Sequence, residues 1–428
     1  MKIFRYYDIK EKKEFESFLE RAGTGGKNVL DIVQTIINVV RSEGDKGLFA
    51  YSRKFDNFAA TKSNIRVKEK EITAAFSSIP GNIINALKTA KKNIEGYHKK
   101  QLSGSFTYKT DYGRLALRAL PVESAGIYIP GGKAAYPSSV LMNVIPARIA
   151  GVPRLVICTP AVNGKIKPVI LAAAKICGVT EIYKIGGAQA IAALAYGTES
   201  VQPVVKITGP GNAYVAAAKQ LVYGKAGIDS IAGPSEVLIV ADQGNNPEYV
   251  AADMLAQAEH DEDNRCILVT DSMIFAGKVL MFLSLQKDLL ARKKIILKSL
   301  DNSFIVVVKS LKDAVAVSNK IAPEHLELFA KKAIKESKLY TNAGAVFIGE
   351  NSPVAAGDYI AGTNHVLPTV GAAKFSSPLG VYDFMKFQST VEITKNGLAG
   401  LKAKLKLLAL AEGLDGHARS AEIRNTDA

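Results

Sequence analysis

The stretch DMLAQAEHDEDN, Asp253 to Asn264, holds Gln257 and His260 one helical turn apart. On a helix that spacing sends both side chains off one face, which suits two ligands to one metal. Asp358, in AAGDYIAGTNH, and His417, in EGLDGHA, are of the type that could join them. Zinc takes imidazole and oxygen ligands, usually four, although a carboxamide oxygen such as that of Gln257 is an unusual one. A polar cluster with a purely structural role is the competing reading at this point. The chain has only five histidines, and four of them (His260, His325, His365 and His417) sit beside carboxylates, amides or glycines rather than in an apolar stripe.

Two further sets of residues could do chemistry. Glu324 and His325 are adjacent in IAPEHLELF. Neighbours on a strand point to opposite faces, but at a strand's entrance the backbone can bend and bring both toward one cavity. An imidazole beside a carboxylate can work as a base near neutral pH; an exposed pair opening a strand is the alternative. The other set is three glycine turns, GIYIPGGK, KIGGAQA and ITGPGNAY, each where an apolar strand-like run enters a helix-like one. Ligands of open α/β sheets bind at such strand ends, and helix N-termini favour phosphate. None is the G-x-G-x-x-G fingerprint, and no acidic ribose ligand is placed for it. A tight turn that needs glycine would account for any one of them.

The elements that must position these residues follow from periodicity. The first hundred or so residues read as helices, among them Asn28 to Lys54 and Pro80 to Lys100, the latter with proline in its first turn and His98 as a packing residue. From Ser124 strand-like and helix-like runs alternate: AGIYIP, a turn at Gly131 and Gly132, Ser138 to Ala150, RLVICTP, Pro168 to Cys177, EIYKIGG, Ala188 to Tyr196, VVKITGPGN, Asn212 to Val222. Such alternation with short connections predicts a doubly wound parallel sheet. A second set of strands, EVLIVAD, CILVTDS, FIVVVK, HLELFA and AGAVFIG, predicts a second sheet of the same kind. In the tail, Leu398, Leu401, Leu405 and Leu408 make an apolar stripe with Lys402, Lys404 and Lys406 off it, and such a helix needs a surface to cover its stripe.

Composition narrows the class. At 428 residues, 48% hydrophobic and 22% charged, the chain reads as a multidomain globular protein. It has no apolar run of membrane-spanning length and no secretory h-region at its start, so a cytoplasmic location is the default. The net charge of +15 invites a nucleic-acid reading, but the lysines are dispersed and no binding motif accompanies them. Cys158, Cys177 and Cys266 all lie in apolar runs without a C-x-x-C pair, which points to buried, inert thiols.

ITGPGNAYVAAAKQLVYGKAGIDSIAGPSEVLIVAD, DMLAQAEHDEDNRCILVT, IAPEHLEL, GDYIAGTNHVLPTVGAAKFSSPLGVYDF and the terminal EGLDGHA resemble the histidinol dehydrogenase family. They run in family order and cover most of the chain from Ser124, with GIYIPGG and KIGGAQAIAALAYG also matching and NIEGYHKKQ extending the likeness upstream. Thr363 stands where the family pattern usually has proline, and Pro378 where glycine is common; neither change removes a chemical group.

The resemblance implies a zinc-containing, NAD-dependent homodimer that oxidises L-histidinol to L-histidine by way of L-histidinaldehyde. It implies zinc held by Gln257, His260, Asp358 and His417, and Glu324 and His325 as the acid–base pair. Tyr128, Gln189 and Asn212 would contact NAD, and Ser235, His325, His365 and Glu412 would contact substrate alongside the zinc ligands. The expected fold is α/β, with two Rossmann-like doubly wound parallel-sheet domains lacking the dinucleotide fingerprint. Residues 1–20 form an N-terminal segment. Residues 21–123 and 236–382 form a first domain carrying the metal and acid–base residues, and 124–235 a second carrying the NAD turns. Residues 383–428 form a tail that crosses to the partner subunit. A thiol-dependent aldehyde dehydrogenase with Cys266 as nucleophile, and a non-catalytic basic binding protein, are the other classes to be tested.

Overall fold

The computed structural model describes residues 1–21, 27–131, 135–231 and 233–425. Gly132, the second residue of one predicted turn, lies outside them. Two parallel sheets form the frame. The six-stranded sheet runs, edge to edge, Lys2–Arg5, Phe304–Val307, Arg265–Thr270, Glu236–Val240, His325–Leu328, Ala345–Ile348. The five-stranded sheet runs Glu181–Tyr183, Arg154–Cys158, Ser124–Tyr128, Lys206–Thr208, Gly227–Ile228.

The strand sequences explain why both sheets are covered on both faces. Val237, Ile239, Cys266 and Leu268 enter one core while Leu238, Val240, Ile267 and Val269 enter another, so continuous apolar runs feed two faces at once. The five-stranded sheet does the same with Ala125, Ile127 and Ile157 against Tyr128, Val156 and Cys158. The predicted strands of both sheets are present.

Three features differ from expectation. The pattern over Asn28 to Lys54 predicts one helix, but the chain breaks at Gly44 into Lys27–Glu43 and Asp45–Asp56. Gly44 has φ +57, and a Cβ there would sit 2.5 Å from the Glu199 carboxylate, which accepts the Asp45 N–H at 2.7 Å; a straight helix would leave no room for that cap.

Second, the helices between 27 and 98 cover the five-stranded sheet. Val33, Ile36, Ile37 and Val40 pack with Tyr128, Val156 and Ile191, while Ile72, Leu87 and Ile94 pack with Ala125, Ile127 and Val144. Residues 21–123 are expected with the six-stranded sheet; periodicity reveals that a helix has a buried face, not what buries it. Residues 2–21 go the other way: Lys2–Arg5 is an edge strand of the six-stranded sheet, and Phe4 and Phe15 pack on Phe304.

Third, an antiparallel sheet unseen in the sequence joins Met385–Ile393 to Gly113–Pro121 and Phe106–Thr110. Its strands are largely exposed, so they lack the apolar alternation that marks a buried sheet. It launches the tail helices Lys395–Ala411 and Asp415–Glu422. Among the described residues no helix is long and apolar enough to cross a membrane.

Candidate active site

The helix Leu311–Ile321 ends at Ala322, whose φ of 54 is left-handed, and Pro323 follows. This bend delivers Glu324 just before the strand and His325 as its first residue, so both turn inward. They are 5% and 4% exposed. One residue on the neighbouring strand holds both: the Glu236 N–H donates to Glu324 Oε2 at 3.0 Å, and the Glu236 carbonyl lies 3.1 Å from His325 Nδ1. A carbonyl can only accept, so Nδ1 carries a proton. That leaves Nε2 as the basic nitrogen of the neutral ring. Nε2 is buried, has no hydrogen-bond partner, and lies 3.6 Å from Asp358 Oδ1.

Charges set the proton affinities. Burial lifts Glu324 to about 7, against the pull of His325. Burial also disfavours a charged His325, but the Glu324 and Asp358 carboxylates outweigh it and lift the imidazole to about 9. Asp358 is held below the usual carboxylate range, because the His325 imidazole more than offsets its burial. Burial pushes both His260 and His365 down, keeping their rings neutral and able to ligate or accept.

Asp358 gathers the remaining groups. It lies in the short helix Val354–Tyr359, and its carbonyl is 2.9 Å from His365 Nδ1. His365 Nε2 reaches Ser139 Oγ at 3.3 Å, on the helix that follows the first glycine turn. His98, expected to pack, is fully buried and lies 3.3 Å from Asn364, bracing the loop that carries His365. Ser235 directly precedes the tethering Glu236, and its N–H donates to Asn264 Oδ1 at 3.1 Å.

Gln257 and His260 come from the end of the helix Pro247–Ala258, where Asn264 fixes the turn by donating to the Gln257 carbonyl at 3.0 Å. The Asp358 charge acts directly on His260. Gln257 is 4% exposed and its Nε2 has no partner, an orphaned amide that a bound ligand would orient. Gln257, His260 and Asp358 supply oxygen and imidazole donors of the kind zinc accepts. Among the described residues no three His, Cys, Asp or Glu groups are placed to hold a metal. The structure does not bring Glu412 and His417 to this cluster: both are exposed on the tail.

The glycine turns form a second set at the carboxyl edge of the five-stranded sheet. Tyr128 ends its central strand, and its hydroxyl accepts the Gly187 N–H at 3.1 Å. Gly187 has φ +62 and starts the helix Gly187–Tyr196. On that helix Gln189 is 1% exposed, with neither Oε1 nor Nε2 partnered. Asn212 caps the helix Ala213–Val222, its Oδ1 accepting from the Tyr214 and Val215 N–H groups. Two unpartnered amide atoms beside two helix N-termini fit an anionic ligand that both donates and accepts hydrogen bonds.

Other groups escape a reading of the sequence. Glu236 tethers the pair through its backbone, which no side-chain pattern reveals. Glu327 is fully buried; its Oε1 accepts the Val354 N–H at 2.9 Å, capping the helix that carries Asp358. Burial with Asp253 nearby lifts it to about 8, and burial lifts Asp253 to about 6. A charged residue inside HLELFA, in a sheet covered on both faces, is the signal that marks it.

Comparison with known proteins agrees on one family. The family model described as histidinol dehydrogenase matches residues 19–425. A histidinol dehydrogenase from Brucella suis is 47% identical over 422 residues, covering 98% of each chain. One from Gluconobacter oxydans is 45% identical over 414 residues, covering 96% of each. The crystal structure of histidinol dehydrogenase from Elizabethkingia anophelis superposes with a TM-score of 0.93 at 39% identity, over 99% of this chain and 98% of that one.

Proposed function

Because the chain belongs to the histidinol dehydrogenase family, we propose that it oxidises L-histidinol to L-histidine in two NAD-dependent steps through L-histidinaldehyde. The observation that carries this reading is the Glu324–His325 pair, buried together and tethered to one residue, with His325 Nε2 unpartnered.

In the first step His325 Nε2 takes the hydroxyl proton as a hydride leaves the same carbon. Glu324, with a proton affinity near neutrality, takes a proton from the water that adds to the aldehyde. His325 returns its proton to the aldehyde oxygen as the water adds, which frees Nε2 to take a proton from the resulting diol as the second hydride leaves; Glu324 gives its proton to solvent, and the acid product ionises. NAD, when bound at the turns carrying Tyr128, Gln189 and Asn212, supplies the acceptor for each hydride. Zinc, when bound by Gln257, His260, Asp358 and His417, supplies a template for the substrate's nitrogens. Asp358 engaged as a ligand would pull less on His325, leaving Glu324 as the main carboxylate that favours its charge. Ser235, His365 and Glu412 complete the pocket for substrate. The exposed His417 and Glu412, on a tail whose Leu407 and Leu408 are each 69% exposed, support a homodimer in which each tail completes the neighbouring site.

The thiol alternative needs an accessible, ionisable Cys266. Its thiol is fully buried, donates to the Met254 carbonyl at 2.9 Å, and is pushed by burial to about 12. The two mechanisms part on one pair of variants: Cys266→Ala is expected to keep histidinol oxidation and His325→Asn to lose it. The reverse result would overturn the proposal.

A further inference from the structure

Lys219 and Asp229 form an ion pair whose side chains are 2% and 4% exposed. An ion pair taken fully out of water gains little net stability over apolar residues of the same volume. Its place in the fold is therefore informative. Lys219 stands on the helix that Asn212 caps, and Asp229 follows the edge strand Gly227–Ile228. The two close around the backbone of a single residue, holding the peptide groups on either side of it. The Gly209 N–H donates to Asp229 Oδ2 at 2.8 Å, and the Gly209 carbonyl accepts from Lys219 Nζ at 3.1 Å.

Gly209 opens the third glycine turn, Gly209-Pro210-Gly211-Asn212. Its φ is +116, and a Cβ there would lie 2.1 Å from the Tyr128 carbonyl oxygen. The turn therefore rests directly on the Tyr128 backbone. Tyr128 in turn holds the Gly187 N–H through its hydroxyl, at the start of the helix that carries Gln189. A shift of the Gly209 backbone would be felt at the Asn212 cap, at Tyr128 and at the Gly187 turn.

We propose that Lys219 and Asp229 are positioning residues for the dinucleotide: together they clamp the Gly209 backbone on both sides and hold the two glycine turns in the spacing that the cofactor requires. This rests on the reading of those turns as the NAD site. The charges neutralise each other within the clamp, so neither need contact the ligand. Their contribution is to the pre-organisation of donors and acceptors already aimed at the cofactor.

The test is calorimetric titration of the zinc-loaded protein with NAD+ and, separately, with L-histidinol. The double variant Lys219→Met/Asp229→Asn removes both charges without leaving one buried alone. We expect its Kd for NAD+ to rise at least about tenfold while that for L-histidinol stays within about twofold. Unchanged NAD+ affinity in the folded variant, or equal loss for both ligands, would overturn the clamp. No NAD+ binding by the unaltered protein would instead overturn the assignment of the turns, and the clamp with it. Should the double variant not fold, Asp229→Glu carries the same comparison, since it keeps both charges while displacing the carboxylate from the Gly209 N–H.

Discussion

His325 is pulled in two directions: burial opposes its charge, while carboxylates from two other positions favour it. With Nδ1 held by a backbone carbonyl, proton exchange at His325 falls to Nε2, which faces Asp358 at 3.6 Å. His325→Asn is expected to lower kcat by about 10²–10⁴ while the Kd for L-histidinol changes little. Equal damage to both, in steady-state rates and equilibrium titration, would count against the base role. The adjacency of Glu324 and His325 is legible in the sequence, but the shared tether on Glu236 and the proton affinities are not, because they arise from elements 88 and 89 residues apart. Glu327 makes a prediction about stability. Its folded pKa of about 8, and that of Asp253 at about 6, lie above ordinary carboxylate values, so the folded state holds extra protons between about pH 4 and 8. Stability of the metal-free protein should fall as pH rises through that window. Glu327→Gln, which mimics the protonated form, should flatten the fall in melting temperature between about pH 6 and 8. An unchanged slope would mean that Glu327 is not protonated at neutrality.

At the scale of elements, both parallel sheets can be read from their apolar runs, since strands buried on two faces carry a strong signal. The antiparallel sheet cannot, because its strands are mostly exposed and one of them comes from far along the chain: Thr110 pairs with Gly113 in a local hairpin, but Gly113 also pairs with Ile393 and Pro121 with Met385. The break at Gly44 depends on Glu199, far along the chain, and so is equally hidden. The glycine turns are legible as turns, and the structure adds what makes one of them obligatory. Gly209→Ala would put a Cβ against backbone rather than against a movable side chain, at a φ that L-residues avoid. A loss of roughly 1–3 kcal/mol from strain alone is expected, visible as a lower melting temperature together with weaker NAD+ binding. A variant as stable as the parent would show that the turn can be rebuilt.

For the molecule as a whole, the tail is an element that the fold leaves largely exposed. Its leucines turn outward from Leu405 onward, and Glu412 and His417 are exposed beyond them. The sequence reveals the stripe but not which subunit it covers. Crossed tails make a quantitative prediction. His417→Ala and His325→Asn subunits, each inactive alone, would restore one intact site in every mixed dimer, about a quarter of all sites on random pairing. A tail docked on its own subunit would restore none. The charge of +15 is spread over the surface and plays no part in this account. Whether one site performs both oxidations is read from the NADH yield from limiting L-histidinol with zinc-loaded protein. Two NADH per histidinol with L-histidine as product are expected; one NADH with accumulating aldehyde, or none at all, would contradict the two-step reading of the site.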